Sequence, residues 1–494
     1  MTPIEDAGDF LVVVEEPENE EFLNLYKAYQ DGPFLQSIAD LLNGSFSLPQ
    51  DIPITAKECG EANAFYDPET VSIEVCYELV MELAQVFAEI AEDPKDTKAI
   101  AHAVDGEMMA TIYHEVGHAL IDQYNLPTTG KEEDAVDQLS VLFMATSAED
   151  WPELILNGAK YYLKASEEVT DIEDLAFWDT HSLDQQRFFH LVCWTFGQNP
   201  DEREFLVTDG WLPEDRAERC PSEYAQMAHS WDVLLAPYVK GNEDLDVPDG
   251  WQHEPIEDRG QFTVSYEKPE DATFEDAYAM VSTDNAFGEV TSALNETFAL
   301  PADLNVVFKQ CEEFAYYDPS EKQLTFCYEI IPYLEQIYTD AAEDPEDTEA
   351  ITNQTLNGLL FIFFHEMGHA LIDLYKLPTT GLEEDAVDQL AALLITGDDA
   401  ETSKDALAGA ETFAASIPED LSVEDLPFAD EHSLGQQRFY NIVCWVYGHD
   451  PEANSDMVGD DALPEDRAAY CPEEWSKLEQ AWMVLLAPFV KETE

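Results

Sequence analysis

The sequence predicts an α+β fold laid down twice, and three observations carry that prediction. The stretch HEVGHALIDQYNLPTTGKEEDAVDQ at residues 114–138 returns as HEMGHALIDLYKLPTTGLEEDAVDQ at 365–389, with 21 of 25 positions identical. Each half opens on short β-branched runs and continues in long segments of 3.6-residue apolar period. Each half also holds four cysteines at corresponding places.

The repetition runs through nearly the whole chain. GDFLVVVEEP (8–17) returns as GQFTVSYEKP (260–269), HSLDQQRFFHLVCWTFG (181–197) as HSLGQQRFYNIVCWVYG (432–448), and LPEDRAERCP (212–221) as LPEDRAAYCP (463–472). The offset is 252 in the first pair and 251 in the other two, so one residue is lost between the early and middle parts. A repeat this long is a duplicated domain, and 494 residues suit two of them. The expected domains are 8–240 and 260–494, joined by an acidic linker at 241–259.

Within a half, FLVVVEE reads as a strand and LQSIADLLNGSF as a helix. Two further strands are expected, with the Tyr-Asp-Pro turn of AFYDPETVSIEVCYEL between or beside them. The segments CYELVMELAQVFAEIAED, KAIAHAVDGEMMATIYHEVGHALIDQY and EEDAVDQLSVLFMA are helical by period. Gly117 costs its helix about 1 kcal/mol relative to Ala, which points to another backbone packed against it. Trp194 and Trp445, at helical spacing, read as core.

Hydrophobic residues make up 45% and aromatics 11%, enough for packed cores despite 106 acidic against 22 basic residues and a net charge of −84. That charge argues against nucleic acid and anionic lipid as partners. No run of 18 apolar residues occurs, so no membrane span is expected. The acidity has two readings: a solvated surface adapted to high salt, or a shell of weakly bound divalent cations such as Ca²⁺. The absence of any D-x-D-x-D-G loop favours the first.

The cysteines are Cys59, Cys76, Cys193 and Cys220, then Cys311, Cys327, Cys444 and Cys471, and none forms a C-x-x-C pair. Even, position-specific usage favours disulfides over free core thiols. Cys59–Cys76 would close a hairpin and Cys193–Cys220 would tie a helix to the following loop, although four cysteines allow three pairings. Disulfides predict an extracellular or periplasmic location. The opening MTPIEDAGDF shows no signal peptide, so any signal is expected to be absent from this numbering.

On a helix, His114 and His118 lie one turn apart on one face, where two imidazoles can reach one Zn²⁺. Glu115 is placed beside them as a general base. In TTGKEEDAVDQ, Thr129 and Glu132 fit a capping box, which leaves Glu133 to face inward as third ligand. Asp137, one turn on, can accept from the second nitrogen of His114. The counterparts are His365, His369, Glu366, Glu384 and Asp388, so about two zinc ions per chain are expected. HSLDQQRF and HSLGQQRF add His181 and His432, each read as an oxyanion donor or as a helix N-cap. Arg187 and Arg438 read first as buried partners of a helix-end carboxylate. Tyr113 is matched by Phe364, so that hydroxyl is not required.

H-E-x-x-H-A-x-x-D followed by E-x-x-x-D resembles the gluzincin metallopeptidases, with a shorter interval between His118 and Glu133. More closely, each half resembles the bacterial "putative metallopeptidase" domain family through its cysteines, Tyr-Asp-Pro, HExGHALID, EEDAVDQ and HSLxQQRF. The resemblance implies a zincin-like fold, a zinc ion and hydrolysis of a peptide or protein substrate. LPTTG at 126–130 and 377–381 matches a sortase sorting signal but lacks the apolar span and basic tail, and reads as a loop between helices. The expected function is a zinc endopeptidase with one site per repeat. The alternative is a non-catalytic binding or structural protein, open to self-association, on the same fold. Glu115 and Glu366 favour the enzyme, because a structural zinc site needs no general base.

Charge of this size makes stability depend on salt. The Debye length falls from about 10 Å at 0.1 M to about 3 Å at 1 M, which screens repulsion among the carboxylates. The melting temperature should therefore climb with NaCl over that range. A flat or falling curve would show carboxylates already neutralised by bound cations or too widely spaced to matter.

Overall fold

A computed structural model describes residues 4–241, 256–283, 285–342, 344–397, 400–415, 422–459 and 463–491. Most of the expected linker, residues 242–255, lies outside them. In repeat 1 the run FLVVV forms β1 (Phe10–Val14), followed by α1 (Leu23–Asp31) and α2 (Phe34–Ser45). IPITAK then forms β2 (Ile52–Lys57), a strand not singled out in the sequence. Its alternation is short but strict, with Ile52, Ile54 and Ala56 fully buried. β3 (Ala64–Asp67) and β4 (Ser72–Cys76) complete a sheet of order β1-β2-β4-β3. β1, β2 and β4 run parallel, and β3 is an antiparallel edge strand.

Helices occupy the rest of the repeat. They are α3 (Tyr77–Ile90), α4 (Thr97–Tyr124), α5 (Glu132–Ser147), α6 (Trp151–Ser166) and α7 (Asp184–Gln198), then the one-turn α8 (Phe205–Thr208) and α9 (Glu214–Ala217), and α10 (Cys220–Leu235). α4 begins on Asp96, whose carboxylate accepts from the N–H groups of Lys98 and Ala99, and ends on Asn125 in the left-handed region. LPTTG forms the turn from α4 to α5. The expected capping box does not start α5. Gly130 takes φ +67° and Lys131 stays extended, so the turn runs past Thr129 and the helix opens at Glu132.

Repeat 2 has the same order. β5 (Phe262–Tyr266), β6 (Leu304–Lys309), β7 (Ala315–Asp318) and β8 (Gln323–Cys327) form a sheet β5-β6-β8-β7. Its helices are α11 (Glu275–Thr283), α12 (Ala286–Thr297), α13 (Ile330–Ala341), α14 (Thr348–Tyr375), α15 (Glu383–Ile395), α16 (Ala400–Ala414), α17 (Gly435–His449), α18 (Glu465–Ala468) and α19 (Cys471–Leu486). Both repeats are thus a small sheet followed by a mainly helical part.

Disulfides join Cys59 to Cys76, Cys193 to Cys220, Cys311 to Cys327 and Cys444 to Cys471. Cys59–Cys76 closes the loop that holds the antiparallel β3–β4 hairpin, tying the chain leaving β2 to the end of β4. That loop spans 17 residues in repeat 1 and 16 in repeat 2, which locates the lost residue. Beside the second bridge, buried Arg216 donates through Nη2 to Glu223 at 2.7 Å, as Arg467 does to Glu474 at 2.7 Å. This pair accounts for the LPEDRA motif.

α4 and α5 cross at Gly117. A Cβ there would lie 2.8 Å from the Val136 side chain and 3.4 Å from its Cα, and Gly368 meets Val387 in the same way. Gly117→Ala should therefore destabilise repeat 1 by about 1–3 kcal/mol through overpacking. Gly44→Ala, on a helix with nothing within 4 Å, should be neutral or stabilise by about 0.5–1 kcal/mol. Urea unfolding of both variants checks the contrast, and equal midpoints would contradict it.

Candidate metal centre

The two helices that cross at Gly117 carry most of the site. α4 supplies His114, Glu115 and His118, and α5 supplies Glu132, Glu133 and Asp137. An i, i+4 spacing puts two imidazoles on one face but leaves each ring free to turn. Here the outer nitrogens are fixed: His114 Nδ1 lies 2.8 Å from Asp137 Oδ1, and His118 Nδ1 lies 2.8 Å from Glu132 Oε1. Both Nε2 atoms then face one point, at 3.2 and 3.4 Å from Glu133 Oε2. His181 Nε2 reaches the same oxygen at 3.1 Å.

Repeat 2 reproduces these distances to the carboxylate, but the two histidines and glutamate whose donors all lie within 4.8 Å of one another are His365, His369 and Glu384 there, against His114, Glu133 and His181 in repeat 1. His365 and His369 turn their Nδ1 atoms to Asp388 at 2.8 Å and Glu383 at 2.6 Å. Their Nε2 atoms lie 3.2 and 3.4 Å from Glu384 Oε2, and that of His432 lies 3.2 Å away.

The site residues fit a cation. Glu133 Oε2 and Glu384 Oε2 are buried, and neither forms a hydrogen bond of normal geometry although three imidazole nitrogens surround each. A buried carboxylate oxygen left in that state is costly unless something positive completes it. Burial alone would raise the Glu133 carboxyl, but His114, His118 and His181 together hold it well below the usual range. Burial would likewise lower His114 and His118, yet the carboxylates around them carry both above the ordinary imidazole value. The field at the convergence point therefore favours positive charge. Nitrogen and oxygen donors of this kind suit zinc among other transition metals.

Arg187 anchors this arrangement. Its Nε and Nη2 each donate to Asp137 at 2.8 Å, and Arg438 does the same to Asp388 at 2.6 and 2.7 Å. Burial raises Asp137, but Arg187 and His114 outweigh it and hold the carboxyl far below normal; Asp388 is held down to about 2 in the same way. Ser182 Oγ donates to buried Asp134 at 3.0 Å, so HSLDQQRF docks onto EEDAVD through two bonds of different kinds. His181 does not cap α7, whose N-cap is Leu183; it is half-exposed and turned towards Glu133. Tyr113 is buried in the core against Phe143, and Trp194 and Trp445 are buried as well.

Two contacts were not anticipated. Glu132, read from the sequence as a cap, orients His118 instead. The only sequence signal is that EED recurs unchanged in both repeats. The other is the Tyr-Asp-Pro segment: the Tyr66 backbone N–H donates to Glu115 Oε2 at 2.8 Å, and its hydroxyl donates to Asp122 Oδ2 at 2.6 Å. Tyr317 binds Asp373 at 2.8 Å in repeat 2. The edge strand β3 is thus fastened to the helix carrying His114 and His118.

A family model described as "putative metallopeptidase" matches residues 14–235 and 266–486. The chain belongs to this family, in two tandem copies. No curated protein and no solved structure matches it. Membership in the putative metallopeptidase family supports a metal-dependent peptidase function acting on peptide or protein. No helix among the described residues is long and apolar enough to cross a membrane. The four disulfides and that observation are consistent with an extracellular or periplasmic protein.

Removing one partner of a buried ion pair leaves an uncompensated charge. Arg187→Ala should cost the metal-free protein about 3–5 kcal/mol, because Asp137 is then buried without its guanidinium. Denaturant unfolding of metal-free protein tests this. A loss below about 1 kcal/mol would mean that Asp137 is solvated when Arg187 is absent.

Proposed function

We propose that each repeat is a zinc-dependent peptide hydrolase, with His114, His118 and Glu133 holding one ion and His365, His369 and Glu384 the other. The observation that carries the reading is the buried oxygen of Glu133 and of Glu384, on which three imidazole nitrogens converge in each repeat. When bound, zinc supplies Lewis acidity that acidifies water and polarises a carbonyl. Glu115 and Glu366 then take the proton of the attacking water. Burial raises the Glu115 carboxyl, which makes it a stronger base once ionised. His181 and His432 donate to the oxyanion that develops on the scissile carbonyl. A peptide laid along the edge strand β3 would pair its main chain there and pass Glu115. Asp137 and Glu132 keep the two imidazoles in one tautomer and orientation.

One observation favours a second reading, a binding or structural protein. His181 stands as close to Glu133 Oε2 as the two α4 histidines do. Four protein ligands would close the coordination sphere, as structural zinc sites do. The two readings separate on turnover: Glu115 also anchors β3 through the Tyr66 N–H, but only the hydrolase uses Glu115 and Glu366 as bases.

Elemental analysis after zinc loading should give about two zinc per chain. Glu115→Gln and Glu366→Gln should keep that content while each removes the turnover of its own repeat, by about 10²–10⁴-fold. Only the double variant should lose all hydrolysis of a peptide library. Hydrolysis that survives the double variant would assign the activity elsewhere. A zinc-loaded wild type without hydrolysis would favour the structural reading.

A further inference from the structure

Beside the candidate metal centre of repeat 1 lies a cavity of about 280 Å³, lined by His114, Glu115 and His181 on one side and by Glu107, Tyr161 and Tyr162 on the other. It is smaller than pockets that enclose a whole ligand, and of a size for one side chain. Three more acidic residues than the site itself needs face it: Glu82, Glu107 and Asp184. Arg187, the guanidinium on its wall, is already engaged by Asp137.

Glu107 is the decisive residue. It is only 6% exposed, yet its carboxylate has no hydrogen-bond partner among the described residues. Its Oε2 rests on Gly158, where a Cβ would lie 2.2 Å away, so the glycine makes room for the carboxylate at the cavity wall. Burial pushes the carboxyl up to about 7, with Arg187 opposing. Such a group gains most from a donor that enters with a ligand. Nothing in the proposed hydrolysis uses it.

Repeat 2 provides the comparison within the same chain. At the offset of 251, Glu82, Glu107 and Asp184 become Tyr333, Gly358 and Gly435. Ala110 becomes Phe361, which is fully buried and whose ring lies 2.3 Å from where a Cβ on Gly409, the counterpart of Gly158, would stand. The space that takes a carboxylate in repeat 1 takes a phenyl ring in repeat 2. The Tyr162 ring under Arg187 becomes Phe413 under Arg438, and Tyr161 becomes Thr412, bonded to Tyr338 at 2.8 Å. The metal-site residues are unchanged between repeats while this wall is rebuilt from acidic to apolar.

We propose that the cavity of repeat 1 is a subsite for a lysine or arginine side chain of a peptide held at the metal centre, with Glu107 as its receptor, and that repeat 2 lacks it. A cation between a buried carboxylate and the Tyr161 ring gains both a charge-assisted hydrogen bond and ring-face attraction. An anionic side chain would meet Glu82, Glu107 and Asp184 there. The inference rests on the hydrolase reading for the peptide nature of the ligand, and a binding measurement keeps the two apart.

The test uses the full, zinc-loaded chain carrying Glu115→Gln and Glu366→Gln, so that bound peptide is not consumed. The probes are blocked hexa-alanine peptides with one lysine, or one norleucine, scanned through each position. Titration calorimetry in 0.5 M NaCl should find one site per chain at which the best lysine peptide binds at least tenfold tighter than its norleucine twin. Adding Glu107→Gln should erase that preference, although it removes one charge among many. Ala110→Phe, which installs the residue of repeat 2, should erase it as well, and serves if Glu107→Gln does not fold. Equal binding of the twins, or a preference that survives both changes in folded, zinc-loaded protein, overturns the subsite. In parallel, hydrolysis by the Glu366→Gln variant, active in repeat 1 alone, should favour lysine over norleucine. Turnover without that preference sinks the subsite and leaves the hydrolase. Lysine-selective binding without any turnover in wild type does the reverse.

Discussion

Two imidazoles on one helix share a face but not a direction, and the whole site depends on how their free rotation is removed. Asp137 and Glu132 hold the outer nitrogens of His114 and His118, so that both inner nitrogens face Glu133. Those acids stand on α5 and the histidines on α4. The geometry is therefore only as good as the crossing of the two helices. Gly117 against Val136 sets that crossing, since any Cβ at 117 would force the helices apart. Arg187, reaching in from α7, then keeps Asp137 charged and fixed. Residues that look like separate motifs in the sequence are three layers of one support.

The duplication shows which parts of that support are the same in both repeats. Every group from the two histidines out to the arginine recurs, with distances that agree within about 0.2 Å between repeats. The wall around Glu107 follows no such constraint, and there the repeats part in charge, volume and polarity. The two repeats therefore differ beside a candidate site that is otherwise alike.

Much of this was legible before any fold was known. A motif that occurs twice in a chain with 11 histidines identifies the helix, and long apolar periods give α3, α4 and α5 within a few residues. Membership of the family and its doubling were legible for the same reason. Strand β2 was not, because IPITAK is short and carries a proline, and its burial comes from neighbours far away in the chain. Glu132 was misread because a local rule, the capping box, explained it at no cost. Only the left-handed turn at Gly130 shows that the helix starts too late for that role. The Tyr66 contacts join residues 49 and 56 positions apart, and nothing in local pattern reports such a pairing.

In the proposed site, the inner nitrogens of two histidines and a carboxylate oxygen converge on one metal ion in each repeat. X-ray absorption at the zinc edge of the loaded protein addresses it most directly, because it reads the donor atoms without requiring turnover. The spectrum should show a shell of nitrogen and oxygen at about 2.0–2.2 Å, with two or three imidazoles per zinc and no sulfur. Sulfur scattering near about 2.3 Å, or a shell of oxygen without imidazole, would contradict it.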